Sequence, residues 1–261
     1  MFQPSKDLNT LLHLAQQAGR EIMRIYASDF AVASKADNSP VTEADQVAEK
    51  IILMGLNENW PNLPVLAEEA ASAGNIPQLG NRFFLVDPLD GTKEFTSRNG
   101  EFTVNIALIE NGKPVMGVVY APAINQICWG EADVGAGFAT LGLDEALGET
   151  RWQKIAVRKP PADGLTVVAS RSHMDTATED YLKSCTVKTL TSAGSSLKFC
   201  LIAKGEADLY PRFGRTMEWD TGAGQAVLEA AGGKVCNVDG TPLRYGKSER
   251  GFDNPAFIAS A

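Results

Sequence analysis

The sequence predicts an α/β chain folded as two lobes. Three observations carry that expectation. Apolar residues recur at helical spacing near the start, and two β-rich runs flank an Asn-Gly dipeptide near the middle. From about Ala156 the chain breaks into shorter alternating units of strand and helix.

Each element has its own signal. From about Ser5 to Ala27, Leu8, Leu11, Leu12, Ala15, Ala18, Ile22 and Ile25 keep helical spacing, and Ser5 is placed to cap the N-terminus. His13 falls inside this helix, where a lone histidine is more often a surface or packing residue than a ligand. After the polar connector "ASKADNSP", a second helix starts near Thr42 with Val47, Ile51, Ile52 and Leu56 on one face. "NLPVLAEEA" and "RFFLVDP" read as short buried strands, each ending in acid. "EFTVNIALIENGKPVMGVVYAPA" is the clearest hairpin, because Asn111-Gly112 is the turn dipeptide with the strongest hairpin preference. The later units are "LTVVAS", "TATEDYLKS", "VKTL", "SSLKFCLIAKG", "ADLYP" and "WDTGAGQAVLEAAGG". With no internal repeat and no low-complexity tract, the chain divides into lobes 1–155 and 156–261, joined between Thr150 and Pro161.

Composition narrows the function. A chain of 261 residues with 44% apolar and 21% charged residues has the make-up of a globular protein with a sizeable core. The net charge of -8 argues against a nucleic-acid-binding face. It does not argue against a phosphorylated substrate, since carboxylate-bound metal ions reverse the local sign. Cys128, Cys185, Cys200 and Cys236 show no metal-ligand spacing and read as reduced thiols of a cytoplasmic protein. The start "MFQPSKDLNTLLHL" is too polar for a signal peptide, and no apolar run reaches membrane-spanning length. Peripheral contact with the cytoplasmic side of the inner membrane stays open, as does the oligomeric state.

Acid stands beside apolar structure in four places: Asp45, Glu68-Glu69, Asp87 with Asp90, and Asp220. Three have bland readings. Asp45 follows Thr42 at capping-box distance, Asp220 opens a helix as a plain N-cap, and Glu68-Glu69 end a strand in solvent. Asp87 and Asp90 are harder to dismiss, since Pro88 stiffens the turn and Gly91 lets it fold back sharply before Thr92. Two carboxylates and a hydroxyl on a rigid turn suit Mg²⁺, a hard ion that keeps several waters. "LDGT" is also similar to the D-x-D-x-T motif of the haloacid-dehalogenase phosphatases, but the position two before Asp90 is Pro88, so one of that motif's two carboxylates is missing.

The motifs "SPVTEAD", "LAEE", "VDPLDGT" and "WDTGAGQAVLEAAGG" occur in the order that the inositol monophosphatase superfamily uses, and they span most of the chain. The sequence resembles that superfamily of lithium-sensitive, Mg²⁺-dependent phosphatases. "DGTKEF", "SRSH", "GSSLKFCLIAKGEADLYPRFG" and "TMEWDT" look most like its CysQ-type 3′(2′),5′-bisphosphate nucleotidase branch, active in sulfur metabolism. Gly222 departs from the pattern, where relatives often carry alanine, and is expected to loosen the packing of its helix.

The resemblance implies a layered α-β-α-β-α sandwich with the site between the lobes. It makes Glu68, Asp87, Asp90, Asp220 and the Leu89 carbonyl the ligands of two or three Mg²⁺ ions, with Asp87 bridging two of them. Asp45 and Thr92 then orient and activate a water that attacks phosphorus directly. Glu68, Leu89, Asp90, Gly91, Thr92, His173, Ser195, Lys198, Arg212 and Asp220 surround the substrate, with Lys198 and Arg212 on a 5′-phosphate. Read without the family, Ser195 is a helix cap and the two cations are solvated. The implied reaction removes the 3′-phosphate of 3′-phosphoadenosine 5′-phosphate to leave AMP, with phosphoadenylyl sulfate as second substrate. An inositol or sugar phosphate is the runner-up. A non-catalytic anion or metal sensor is the alternative of a different class.

Overall fold

The first helix forms where the apolar spacing puts it. In the computed structural model, which describes residues 2–34, 40–170 and 175–261, α1 spans Lys6–Tyr26 and the Ser5 side chain accepts from the Leu8 N–H. A short antiparallel pair, β1 (Val32–Ser34) and β2 (Pro40–Thr42), leads into α2 (Glu43–Asn59). The Leu8, Leu11, Ala15 and Ile22 stripe of α1 meets Ala48, Ile52 and Leu56 of α2 in one buried cluster.

A seven-stranded sheet follows in the order β3 to β9: Val65–Ala67, Arg82–Asp90, Thr103–Glu110, Lys113–Ala121, Gln126–Glu131, Gly135–Thr140 and Gln153–Ile155. Two short helices interrupt it, α3 (Glu68–Ser72) after β3 and α4 (Thr92–Thr96) after β4. The expected hairpin is β5–β6, with Asn111 and Gly112 both at positive φ. Two expectations are corrected here. Glu68 and Glu69 do not end a strand in solvent but open α3. The strand "RFFLVDP" runs on as β4 to Asp90, because Leu89 stays buried and the turn is absorbed as a bulge.

The rest of the chain builds a second sheet in the order β11-β10-β12-β14-β13. Its strands are β10 (Leu165–Ser170), β11 (Val187–Ala193), β12 (Leu209–Arg212), β13 (Lys234–Asn237) and β14 (Phe257–Ser260), with helices α5 (Thr176–Lys183), α6 (Leu197–Ala203) and α7 (Glu218–Ala230) between them. Both faces of β4 are buried. Phe84 and Val86 point into the cluster with α1 and α2, while Phe83 and Leu85 join Phe199, Ala223 and Val227 of α6 and α7. Helix pair, sheet, helix pair, sheet and α5 make the expected α-β-α-β-α stack.

The middle helix layer needs close approach. A Cβ on Gly130 of β7 would lie 2.4 Å from the Ala226 carbonyl oxygen of α7, so only glycine lets the helix reach the sheet. Gly222 on the same helix is not loosely packed, contrary to expectation. Leu85 Cδ1 would stand 3.0 Å and Ala107 Cβ 3.3 Å from a methyl there, so the neighbours have closed over the missing side chain. Among the described residues no helix is long and apolar enough to cross a membrane.

Candidate active site

Strand register delivers the acids. β3 and β4 are parallel with Ala67 opposite Val86, so Glu68 and Asp87 leave neighbouring strands side by side. Asp87 continues the row of Phe83 and Leu85, the face that packs towards α7. Asp220 is not the N-cap that the sequence suggests. Met217 holds that position, and Asp220 at the third helical residue accepts its N–H at 2.8 Å. Burial first, then the charges of Glu68, Asp90 and Asp220, pushes the Asp87 carboxyl well above its usual range. Asp220 is raised the same way, by burial and then by Asp90 and Glu68. Raised acids of this kind report carboxylates crowded together in low dielectric.

A bulge sets the spacing of Asp87 and Asp90. Asp87 lies opposite Asn105 and Asp90 opposite Thr103, three steps on β4 against two on β5. Pro88, which has no N–H for the ladder, sits in that step. Asp87 Oδ1 accepts the Leu89 N–H at 3.1 Å. Gly91 then takes φ 91° and opens α4 with Thr92 at its first residue.

Asp45 keeps its capping role and touches the site as well. Its Oδ2 accepts the Thr42 N–H at 2.7 Å and the Thr42 hydroxyl at 2.8 Å. The Thr92 hydroxyl lies 3.4 Å from Asp45 Oδ1 and 3.4 Å from the Leu89 carbonyl. The expected catalytic pair and the expected carbonyl ligand thus meet at one hydroxyl.

Ser195 is not a helix cap. The N-cap of α6 is Ser196, and Ser195 sits at φ 52° with its hydroxyl 2.6 Å from Asp90 Oδ2. The Asp90 carboxyl is raised by burial, against which the Ser195 hydrogen bond and the Lys198 charge both work. Lys198 is buried rather than solvated, and its Nζ donates to the carbonyls of Ala193 at 3.2 Å and Ser195 at 2.5 Å. Burial, reinforced by Arg212 and opposed by Asp90, pulls its ammonium down to about 8. Arg212 is also buried, and its Nη2 donates to the Arg215 carbonyl at 3.1 Å.

Most of these groups share one cavity of about 590 Å³, whose lining does not include Asp45, Asp87 or Leu89. Glu68, Asp90, Gly91, Thr92 and Asp220 line it together with Ser195, Lys198 and Arg212. His173 lies outside the described residues. Arg215 and Asp175 also line the cavity and carry no sequence motif that marks them, and Tyr210, which lies within "GSSLKFCLIAKGEADLYPRFG", lines it too. Thr103 and Asn105, both fully buried, hydrogen-bond to each other beside Asp90. Their alternation with Phe102, Val104 and Ile106 reads in the sequence as the wet face of a half-buried strand.

The donor set fits a hard divalent ion. It consists of carboxylate and carbonyl oxygen, with Asp87, Asp90 and Asp220 each fixed by a protein donor to one carboxylate oxygen. Among the described residues no three His, Cys, Asp or Glu side chains are grouped closely enough to hold a metal ion by themselves.

Fold and site together define a phosphatase-like α/β sandwich, and the family model described as the inositol monophosphatase family matches residues 3–258. The chain belongs to that family. Among curated proteins it is 48% identical over 255 residues to the 3′(2′),5′-bisphosphate nucleotidase CysQ of Escherichia coli (strain K12), covering 97% of this chain and 99% of that protein. The protein of the same description from Buchnera aphidicola is 42% identical, over 98% of this chain and 94% of its own. The crystal structure of CysQ from Bacteroides thetaiotaomicron, a bacterial member of the family, superposes with a TM-score of 0.80 at 40% identity, covering 98% of this chain and 97% of that one. The resemblance to the CysQ-type branch is therefore borne out.

Proposed function

We propose that this chain is a Mg²⁺-dependent phosphatase that removes the 3′-phosphate of 3′-phosphoadenosine 5′-phosphate, leaving AMP. Phosphoadenylyl sulfate, which carries the same 3′-phosphate, is the second substrate. One observation carries the reading: a single cavity is lined by the half-buried carboxylates Glu68, Asp90 and Asp220 next to two buried cations, Lys198 and Arg212. The acids suit a reacting phosphate brought in with metal, and the cations suit a second, non-reacting phosphate. A substrate with two phosphates on one small molecule uses both. The similarity to proteins described as bisphosphate nucleotidases supports the choice of nucleotide.

Glu68, Asp87, Asp90, Asp220 and the Leu89 carbonyl would hold Mg²⁺. When bound, the metal supplies charge neutralisation at the phosphate and a water of lowered pKa. Asp45 accepts a proton and Thr92 relays orientation, since their side chains meet and Asp45 Oδ2 is already fixed by Thr42. Gly91 lines the cavity at φ 91°, and a Cβ there would meet the Glu101 carbonyl oxygen and Glu94 Oε2 at 3.3 Å. Lys198 and Arg212 make charge-assisted hydrogen bonds to the 5′-phosphate. The site works in the cytoplasm.

Phosphate release across a panel of adenosine bisphosphate, inositol phosphate and fructose bisphosphate tests the proposal. The expected result is the highest kcat/KM for adenosine bisphosphate, activity lost on chelation, and inhibition by Li⁺ but not by equal Na⁺. A preference for inositol phosphate, or activity indifferent to chelation, would overturn it.

A further inference from the structure

Asp90 and Asp220 belong to different layers, yet the acids must keep one spacing while repelling each other. The structure places a neutral hydrogen-bonded chain between them. Asn105 Nδ2 donates to the Ser196 hydroxyl at 3.0 Å, and that hydroxyl donates to the Asp220 backbone carbonyl at 2.8 Å. The same amide lies 3.4 Å from Asp90 Oδ2, with the Ser196 hydroxyl at 3.3 Å from that oxygen. The Thr103 hydroxyl donates to Asn105 Oδ1 at 2.9 Å, which fixes which way the amide faces. Asn105 and Ser196 are each only 1% exposed, so the chain works without competition from water.

The loop that supplies Ser196 is docked as well. The Gly194 N–H donates to Glu101 Oε2 at 2.8 Å, and a Cβ on Gly194 would stand 2.5 Å from the Glu101 carbonyl oxygen. Lys198 ties the same loop from the other side through the carbonyls of Ala193 and Ser195. A loop fixed at three points can hold a hydroxyl to a few tenths of an ångström, which a mobile one cannot.

We infer that Asn105 is a positioning residue for the metal-binding acids: through Ser196 it ties Asp90, carried by the first sheet, to the start of α7 that carries Asp220. The inference rests on the proposed metal-dependent reading. Asn105 touches neither metal nor substrate in this role. It sets the distance between two ligands that would otherwise move apart.

Calorimetric titration of Mg²⁺ into the metal-free protein tests it, on wild type, Asn105→Ala, Ser196→Ala, the double variant and Asp90→Asn. Asn105→Ala and Ser196→Ala are each expected to weaken Mg²⁺ binding about tenfold to a hundredfold. The double variant is expected to lose no more than the weaker-binding single, because both break one chain. Far-ultraviolet circular dichroism and thermal unfolding of each metal-free variant show whether the fold survives. If Asn105→Ala does not fold, Ser196→Ala carries the same comparison. Wild-type affinity in folded Ser196→Ala, or losses that simply add in the double variant, would overturn the inference while leaving the metal site standing. Unchanged affinity in Asp90→Asn would remove the metal reading itself, and the inference with it.

Discussion

The acidic and basic sets of the cavity are built by different means. Asp87, Asp90 and Asp220 are each clamped by a donor from their own turn or from a neighbouring layer, and they stand on a strand bulge and a helix start. Lys198 rests on the seven-residue α6 and holds two loop carbonyls, and Arg212 ends β12 and reaches the Arg215 carbonyl. The acids are fixed in place against their own repulsion. The cations are fixed too, but Lys198 divides its donors between the loop and the cavity. A site of this kind separates two jobs, one that tolerates no displacement and one that tolerates some.

The sharpest way to break the comparison is to remove one acid. Asp87→Asn and Asp90→Asn are each expected to lower turnover about a thousandfold or more at saturating Mg²⁺. Their metal-free folds should persist, and Asp87→Asn should raise metal-free stability by relieving buried repulsion. Near wild-type turnover in either variant would remove that acid from the metal set. Steady-state kinetics beside urea unfolding separates the two effects.

Lys198→Ala comes next. Because Nζ clamps the loop that carries Ser195, the loss should fall on 3′-phosphoadenosine 5′-phosphate and 3′-AMP alike, about tenfold to a hundredfold in kcat/KM, and somewhat more on the bisphosphate. A loss confined to the bisphosphate would show that the carbonyl clamp is dispensable.

A pH series gives a smaller effect with a definite sign. Burial lowers the Lys198 pKa to about 8, so its charge is full below that value and fades as pH rises through it. The preference for the bisphosphate over 3′-AMP should therefore fall severalfold between pH 7 and 9. The stability sign runs the other way. A cation with a lowered folded pKa binds fewer protons folded than unfolded between about 8 and 10.5, so its unfavourable contribution diminishes as pH rises through that window. A preference flat with pH in wild type would take Lys198 off the 5′-phosphate.

Gly222→Ala should do least. Helix propensity favours alanine by about 1 kcal/mol, and the 3.0 Å approach to Leu85 Cδ1 opposes it. The expected net change in unfolding free energy is under about 1 kcal/mol. A loss above about 3 kcal/mol would mean that α7 cannot yield at all.

How much of this was legible differs between the two sets. Asp87 and Asp90 stood out because Pro88 and Gly91 constrain the chain around them, and local rigidity is written in sequence. The capping role of Asp45 was legible for the same reason. The position of Asp220 within its helix was missed by a full cap, since Met217 gives no side-chain signal for an N-terminus. Asn105 and Thr103 were invisible because alternation cannot tell a wet face from a face covered by a distant loop. Ser195 looked like a cap until the fold placed Asp90 against it. Contacts across 91 or 105 positions in the chain are set by layer packing, and no local pattern records them.

The division of labour between the two sets is tested most directly by crossing Asp90→Asn and Arg212→Ala with two substrates, 3′-phosphoadenosine 5′-phosphate and 3′-AMP. Asp90→Asn should lose kcat/KM on both by similar, large factors. Arg212→Ala should lose about tenfold to a hundredfold on the bisphosphate and little on 3′-AMP, because only the bisphosphate offers a second phosphate. Equal losses for Arg212→Ala on the two substrates, or none on either, would contradict the account.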